Sequence, residues 1–427
     1  MLNPLKKNNL RKYFFVTLIL ISIPSRIIAQ DKSWSLALRA HPINSNYFWL
    51  EKNNFGRKVS DFNFDSHLEF KKSRITYMVN IFSDTSHNKI ENIYLNESFI
   101  KYELSSETFL RAGKYYRDFS KYLNDELSSG SMLISHNAQA MPKIGLMTSK
   151  NIKKNKRVTF NFGIAHGLFE KNDTYTKAPF LHEKFIYIDI KKNDYEFGIG
   201  IVHEAIWAGE IVNLGNQPHK FKDFLKVFIS ADGPQLSGEP HANALGNHLG
   251  IWDFYYKKKN QGKLLKVYYQ HFFEDTSGLR FDNGPDGLWG LELSNYLNNT
   301  NILFEYLNTM NQDRNPPYVN EAYYNHYQYK EGWSYKGYTL GNPFINHLAV
   351  KPVEVFHLGL NGKVLSNYFY RFKAARKINI SDKVKYELVI TKKFDKKNQT
   401  SISDLNIYIM NNDNMKNGLG ISISYKL

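Results

Sequence analysis

The segment YYQHFFEDTSGLRFDNGPDGLWGLELSN (Tyr268–Asn295) decides the fold. Two runs of alternating character flank a turn-rich centre containing Gly278, Gly284, Pro285 and Gly287. In the first run Val267, Tyr269 and Phe273 share one parity, and Lys266, Gln270 and Glu274 take the other. In the second, Trp289, Leu291 and Leu293 oppose Gly290, Glu292 and Ser294. A strand projects successive side chains to opposite faces, so this is a hairpin with one apolar and one polar face. The apolar face implies either the core of a soluble sandwich or lipid, and the rest of the chain separates the two.

The same device recurs along the chain. Ile75, Tyr77, Val79 and Ile81 share a face, as do Val158, Phe160, Phe162 and Ile164 against Arg157, Thr159 and Asn161. Tyr195, Phe197, Ile199 and Ile201 form another run, and Val384, Tyr386, Leu388 and Ile390 oppose Lys385 and Glu387. There are roughly eighteen such runs, each of about the nine to eleven residues that a tilted membrane strand needs. The chain ends in GLGISISYKL, where Leu419, Ile421, Ile423, Tyr425 and Leu427 alternate with small or polar residues. A barrel in lipid must pair its last strand with its first, because an open edge cannot exist there. Such a terminal strand also resembles the signal by which barrel-assembly machinery takes up its substrates, with Leu427 in place of the more usual Phe.

Residues 1–29 read as a signal peptide, with a basic n-region ending at Tyr13, an apolar stretch from Phe14 to Ile23, and Ala29 before the cut. The mature protein therefore leaves the cytoplasm. Mean hydropathy is -0.48, and the composition offers no membrane helix beyond that stretch. Aromatic content of 15 % suits the girdles of an outer-membrane barrel. The absence of cysteine excludes disulfides, thiolate metal sites and a lipidated N-terminal cysteine. Loss of Lys6, Lys7, Arg11, Lys12 and Arg26 with the signal takes the formal charge of +16 to +11, a balance suited to acidic polysaccharide or lipopolysaccharide phosphate. The basic residues are scattered, which argues against nucleic acid.

Between Arg111 and Pro142, Arg111, Lys114 and Arg117 lie among tyrosines including Tyr116, with His136 and Asn137 further on. Basic groups beside aromatic rings bind sugar acids by charge-assisted hydrogen bonds and stacking, although lumen charges can also simply pair with one another. Glu204 and Trp207, Asn247, His248 and Asp253, and Gln270, His271 and Glu274 form further polar groups. None has the spacing of a metal site such as HExxH, and no metal or other cofactor is expected. DNGPD (Asp282–Asp286) reads as a turn rather than a calcium loop. Ser277, six residues after His271, raises a barrel hydrolase, but no GxSxG supports it.

FLRAGKYYRDFS and SGSMLISHNAQAMPKIGL (Phe109–Ser120, Ser129–Leu146), FGIGIVHEAIWAG (Phe197–Gly209), GNHLGIWDF (Gly246–Phe254), YYQHFFEDTSGLRFDNGPDGLWGLEL (Tyr268–Leu293) and GWSYKGYTLGNPFI (Gly332–Ile345) resemble, in order, successive blocks of the Wzi capsule-assembly family in its Bacteroidetes-type version. The resemblance implies an outer-membrane barrel of eighteen strands with a non-enzymatic, lectin-like role in holding capsular or exopolysaccharide at the surface of a Gram-negative cell. Relatives carry a periplasmic helical bundle, whereas the region before Asp61 is short and weakly helical here.

The expectation is thus an all-β transmembrane antiparallel barrel over residues 61–427, preceded by a periplasmic or plug-like segment at 30–60. Its partners are acidic polysaccharide, outer-membrane lipid and lipopolysaccharide, and the barrel-assembly machinery. Contacts to polysaccharide are expected from Arg111, Lys114, Tyr116, Arg117, His136, Asn137, Glu204, Trp207, Asn247, His248, Asp253, Gln270, His271 and Glu274. A porin or substrate-specific channel is the alternative.

Overall fold

The computed structural model describes residues 31–426 apart from 41–46, 59, 61, 87–88, 153–154, 235–242, 275, 312–322 and 395–400. The expected signal peptide, Leu427, residues 41–46 and 59 of the expected plug-like segment and parts of several connections thus lie outside the described residues. Eighteen antiparallel strands close on themselves. They are β1 (Asp31–Ala40), β2 (Phe62–Lys72), β3 (Ile75–Ser86), β4 in two arms (Lys89–Leu95 and Ser98–Glu103), β5 (Thr108–Tyr115) and β6 (Met141–Ile152). Then follow β7 (Asn155–Leu168), β8 (Phe180–Lys192), β9 (Tyr195–Trp207), β10 (Asn247–Asn260), β11 (Lys263–Phe273) and β12 (Gly287–Leu297). The last six are β13 (Thr300–Asn308), β14 (Glu354–Leu365), β15 (Tyr368–Lys377), β16 (Val384–Lys393), β17 (Ser401–Asn411) and β18 (Asn417–Lys426).

Closure is made by β18 on β1, with Leu36 opposite Tyr425 and Leu38 opposite Ile423. The terminal amphipathic run is therefore the seam. The segment expected to precede the barrel divides in two: Asp31–Ala40 is the first barrel strand, and the chain from Tyr47 to Arg57, including helix α1 (Phe48–Glu51), turns into the lumen. The barrel wall thus begins at Asp31 rather than at residue 61.

Alternation sets the two surfaces. Phe162, Ile186, Phe197, Trp289, Leu291, Phe304, Ile407 and Ile421 stand exposed on the outer wall, where lipid replaces water as their neighbour. On the outer aromatic belt Tyr269 stacks on Trp289 at 3.7 Å. One rim carries tight turns. At one of them Gln261 and Gly262 have φ of 48° and 78°, the left-handed pair that a two-residue type I′ hairpin needs. The other rim carries the long connections 41–61, 116–140, 169–179, 208–246, 274–286 and 309–353. Short turns face the periplasm and long loops the exterior in barrels of this type, which orients the molecule.

Inside, cross-strand pairs of glycine and tyrosine recur: Tyr187 opposite Gly200, Tyr255 opposite Gly198, and Tyr268 opposite Gly290. Each ring lies flat over the glycine, where a Cβ would collide with it. This lets the hydroxyls reach along the lumen wall to carboxylates. Tyr255 donates to Asp189 at 2.7 Å and Tyr268 to Glu305 at 2.5 Å. Gly290→Val should displace the Tyr268 ring at a cost of about 1–3 kcal/mol and reduce the fraction of heat-modifiable, folded barrel on unboiled gels. Ser294→Val, on the same face of β12, is the control expected to fold normally.

Candidate functional site

The lumen is filled from the exterior side by three segments: 47–57, 116–140 and 323–347. Leu127, Met132, Leu133, Tyr324 and Trp333 are fully buried there. The segment 116–140 is pinned to the wall on several sides. Asp253 accepts from Ser120 Oγ at 2.5 Å, from Tyr187 OH at 2.6 Å and from Tyr122 OH. Glu305 accepts from Ser128 Oγ and the Ser129 amide, both at 2.6 Å. Gln270 Oε1 accepts from the Met132 amide at 3.0 Å, and Glu292 accepts from Asn124 Nδ2 at 3.0 Å. Lys266 Nζ donates to the Tyr122 carbonyl at 2.6 Å and His357 Nε2 to that of Leu127, also at 2.6 Å. Trp333 Nε1 then ties the third segment on through the Leu133 carbonyl at 2.7 Å, and Asn137 Nδ2 through that of Thr339 at 2.8 Å. The first segment joins through Asn53 Nδ2, which donates to the Ser129 carbonyl at 2.6 Å.

This network absorbs half of the polar residues singled out in the sequence. Arg111 pairs with Asp118 and lies 3.8 Å over the Tyr115 ring. Arg117 bonds Asp125 at 2.6 Å and the Ile134 carbonyl at 3.2 Å. Tyr116 donates to Asn96 and Ala138, and His136 packs between its ring and Phe55. With Asn137, Asp253 and Gln270 they form one buried assembly that holds the plug.

The others are dispersed. Glu204 lies in the lumen opposite Glu183, whose carboxylate is 2.8 Å from Lys143 Nζ. Asn247 is buried at the top of β10, and Glu274 follows the last residue of β11. Lys114 donates to the Leu95 carbonyl at 3.1 Å. His248 and His271 point to the outside of the barrel but are covered. His248 bonds His203 Nε2 at 2.8 Å and the Leu245 carbonyl at 3.0 Å. His271 bonds Tyr269 at 2.7 Å and the Gly278 carbonyl at 3.0 Å, beneath helix α3 (Thr276–Leu279). Ser277 falls in that helix.

A second concavity sits on the exterior rim and was only partly legible in the sequence. It is a cavity of about 260 Å³ walled by Trp207 and by loop residues that include Asn216, Gln217, Asn243, Tyr327, Gln328 and Tyr329. The Trp207 Nε1 is buried and makes no hydrogen bond among the described residues. Tyr327 is half exposed and packs at a tilt against His326, with ring centroids 4.5 Å apart, while Tyr329 is anchored by its hydroxyl to the Ala208 carbonyl at 3.1 Å. An aromatic wall with side-chain amides around it suits a neutral or acidic sugar: rings cover apolar sugar faces, and amides both donate and accept. Of the expected residues only Trp207 lies in it. The amides and tyrosines come from distant loops with no local pattern to mark them.

A closed, plugged outer-membrane barrel presenting an aromatic and amide pocket at its exterior rim is the class of protein these features define. The sequence profile of the capsule assembly protein Wzi family matches residues 50–363, and the chain belongs to that family. Among solved structures it is similar to Wzi of Escherichia coli, described as an outer-membrane carbohydrate-binding β-barrel involved in group 1 capsule assembly. The identity is 14 % over 96 % of this chain and 88 % of that one, with a TM-score of 0.60. It is also similar to OpdO of Pseudomonas aeruginosa, at 11 % identity over 93 % of this chain and 98 % of that one, with a TM-score of 0.47. No curated protein matches it in sequence.

Burial depresses the plug histidines. His136 and His347 are pushed down to about 4 and His326 to about 3 from an ordinary 6.5. Released from the plug they would bind protons at a higher pH than when inserted, so the inserted form loses stability as pH falls from about 6.5 towards 4. Asp118 and Asp125, held below the usual carboxylate range by Arg111 and Arg117 against the effect of burial, add to the loss only at lower pH. Single barrels in planar bilayers should be nearly closed at pH 7 and show frequent openings by pH 4. Glu305→Ala, which strands three donors at about 1–3 kcal/mol each, should show openings already at pH 7.

Proposed function

We propose that this protein binds and retains exported capsular or exopolysaccharide at the outer face of the outer membrane during capsule assembly, without acting on it chemically. The observation that carries this reading is the occupied lumen. In a diffusion channel the polar wall lines a water path, whereas here Asp253, Gln270, Glu292 and Glu305 are engaged in holding the plug, which leaves the exterior rim as the surface open to a polymer. Membership of the capsule assembly family supports the same reading. A weak site per barrel is sufficient, because one long chain engages many barrels and gains avidity from the number of contacts.

A non-enzymatic role is supported by the family match and by the similar Escherichia coli barrel, which is described as carbohydrate-binding. The net positive charge favours an acidic polymer.

In a strain lacking the protein, total polysaccharide should be unchanged while the cell-bound share falls and the released share rises. An unchanged distribution would exclude retention. Tyr327→Ala combined with Trp207→Phe, which keeps a packed ring but removes the indole N–H, should lower binding of purified polymer to the detergent-solubilised barrel several-fold. A lumen change such as Asn161→Ala should leave it unaffected.

A further inference from the structure

From β7 to β10, towards the exterior rim, the outer wall breaks its apolar pattern. The outward positions there are His166, His182, Lys184, His203 and His248, whereas neighbouring outward positions are the exposed Phe162, Leu168, Phe180 and Ile186. Bare imidazoles facing acyl chains would be costly. Instead helix α2 (Phe221–Phe228) lies over them on the outside of the barrel. Phe224 packs on His166 at 5.2 Å, His182 at 5.5 Å and Trp207 at 5.7 Å, Val227 is fully buried, and His182 has no accessible surface.

The apolar arc of this helix runs on past its buried face. At helical spacing Phe221, Leu225 and Ile229 form a stripe, and they are 75 %, 49 % and 71 % exposed. The stripe continues the lipid-facing belt across the gap left by the histidines. Lys222 and Lys226 border it on the helix, and Lys184 lies 4.3 Å from the Phe228 ring. Lys226 Nζ donates to the Asp232 carbonyl at 2.9 Å, a neutral partner that leaves its charge uncompensated.

We infer that α2 is a docking surface for a multiply acylated, phosphorylated lipid of the outer leaflet, of the lipid A type. Phe221, Leu225 and Ile229 enter the acyl layer, and Lys184, Lys222 and Lys226 meet the phosphates. An exposed apolar stripe edged by lysine, held at the rim of a lipid-facing wall, has the chemistry of an interfacial helix. Its proximity to the rim pocket, which shares Trp207, sets that pocket beside the headgroup layer.

The chain has no cysteine, so single nitroxide labels can be placed without further change. Full-length barrel carrying label at Leu225→Cys or Lys222→Cys would be reconstituted in phosphatidylcholine vesicles with lipid A. Collision with oxygen relative to a water-soluble nickel chelate should be several-fold higher at position 225 than at 222. Equal, water-like values at both would overturn insertion. In the second arm, Lys184→Gln/Lys222→Gln/Lys226→Gln should retain several-fold less lipid A per barrel after detergent exchange, with unchanged heat-modifiable mobility. Undiminished retention would overturn the role of the phosphates. Retention of phosphatidylglycerol equal to that of lipid A would overturn the lipid A assignment in favour of general anionic lipid. These readouts involve no polysaccharide, so their failure is separate from failure of the retention reading.

Discussion

The inward carboxylates of Asp253, Glu292 and Glu305 need donors, and in this barrel the chain itself supplies them. Asp253, Glu292 and Glu305 project from three strands into a bore wide enough for water. Each would remain charged and hydrated if the bore were open. Instead hydroxyls and amides of residues 120–129 meet them, and wall lysine and histidine donate to the plug's carbonyls in return. The exchange is reciprocal, so wall and plug each satisfy polar groups that the other would leave unpaired. A half-inserted plug would satisfy neither, which makes its insertion cooperative.

The wall was the legible part of the sequence. Period-two alternation, turn residues and a terminal amphipathic run identify strands because lipid on one side enforces the pattern at every position. Strand β1 escaped this reading despite its alternating Trp34, Leu36 and Leu38, because the irregular residues after Pro42 drew it into the same segment. The plug was legible only as a polar stretch. Its apolar members Leu127, Met132, Leu133 and Ile134 follow no strand or helix period, since their packing is set by three separate segments meeting in the lumen. Tyrosines and arginines there looked like a sugar surface because the groups that recognise sugars are the same ones that knit loops together.

Parity separates neighbouring polar residues of a strand. His203 and Glu204 are neighbours in one strand, so one had to face outward: His203 does, and Glu204 enters the lumen. The sequence alone does not say what covers an outward histidine, because the cover is a helix drawn from the 208–246 connection. The rim pocket has the same character. Asn216, Gln217, Asn243 and Gln328 are ordinary loop amides until the loops converge on Trp207.

Filling the bore changes what the barrel is able to contribute. A channel depends on a continuous water path and on weak, sequential contacts along it, whereas a retaining surface depends on a fixed rim and on many copies. The plug supplies the first of these needs, because loop 323–347 is anchored through Trp333, Tyr324 and Asn342 to buried backbone rather than left to move with solvent. Tyr327 and Gln328 belong to that anchored loop, so the side chains offered to a ligand are positioned before it arrives and less ordering entropy is lost on contact. The buried hydrogen bonds of the lumen thereby determine the geometry of a pocket that lies outside it.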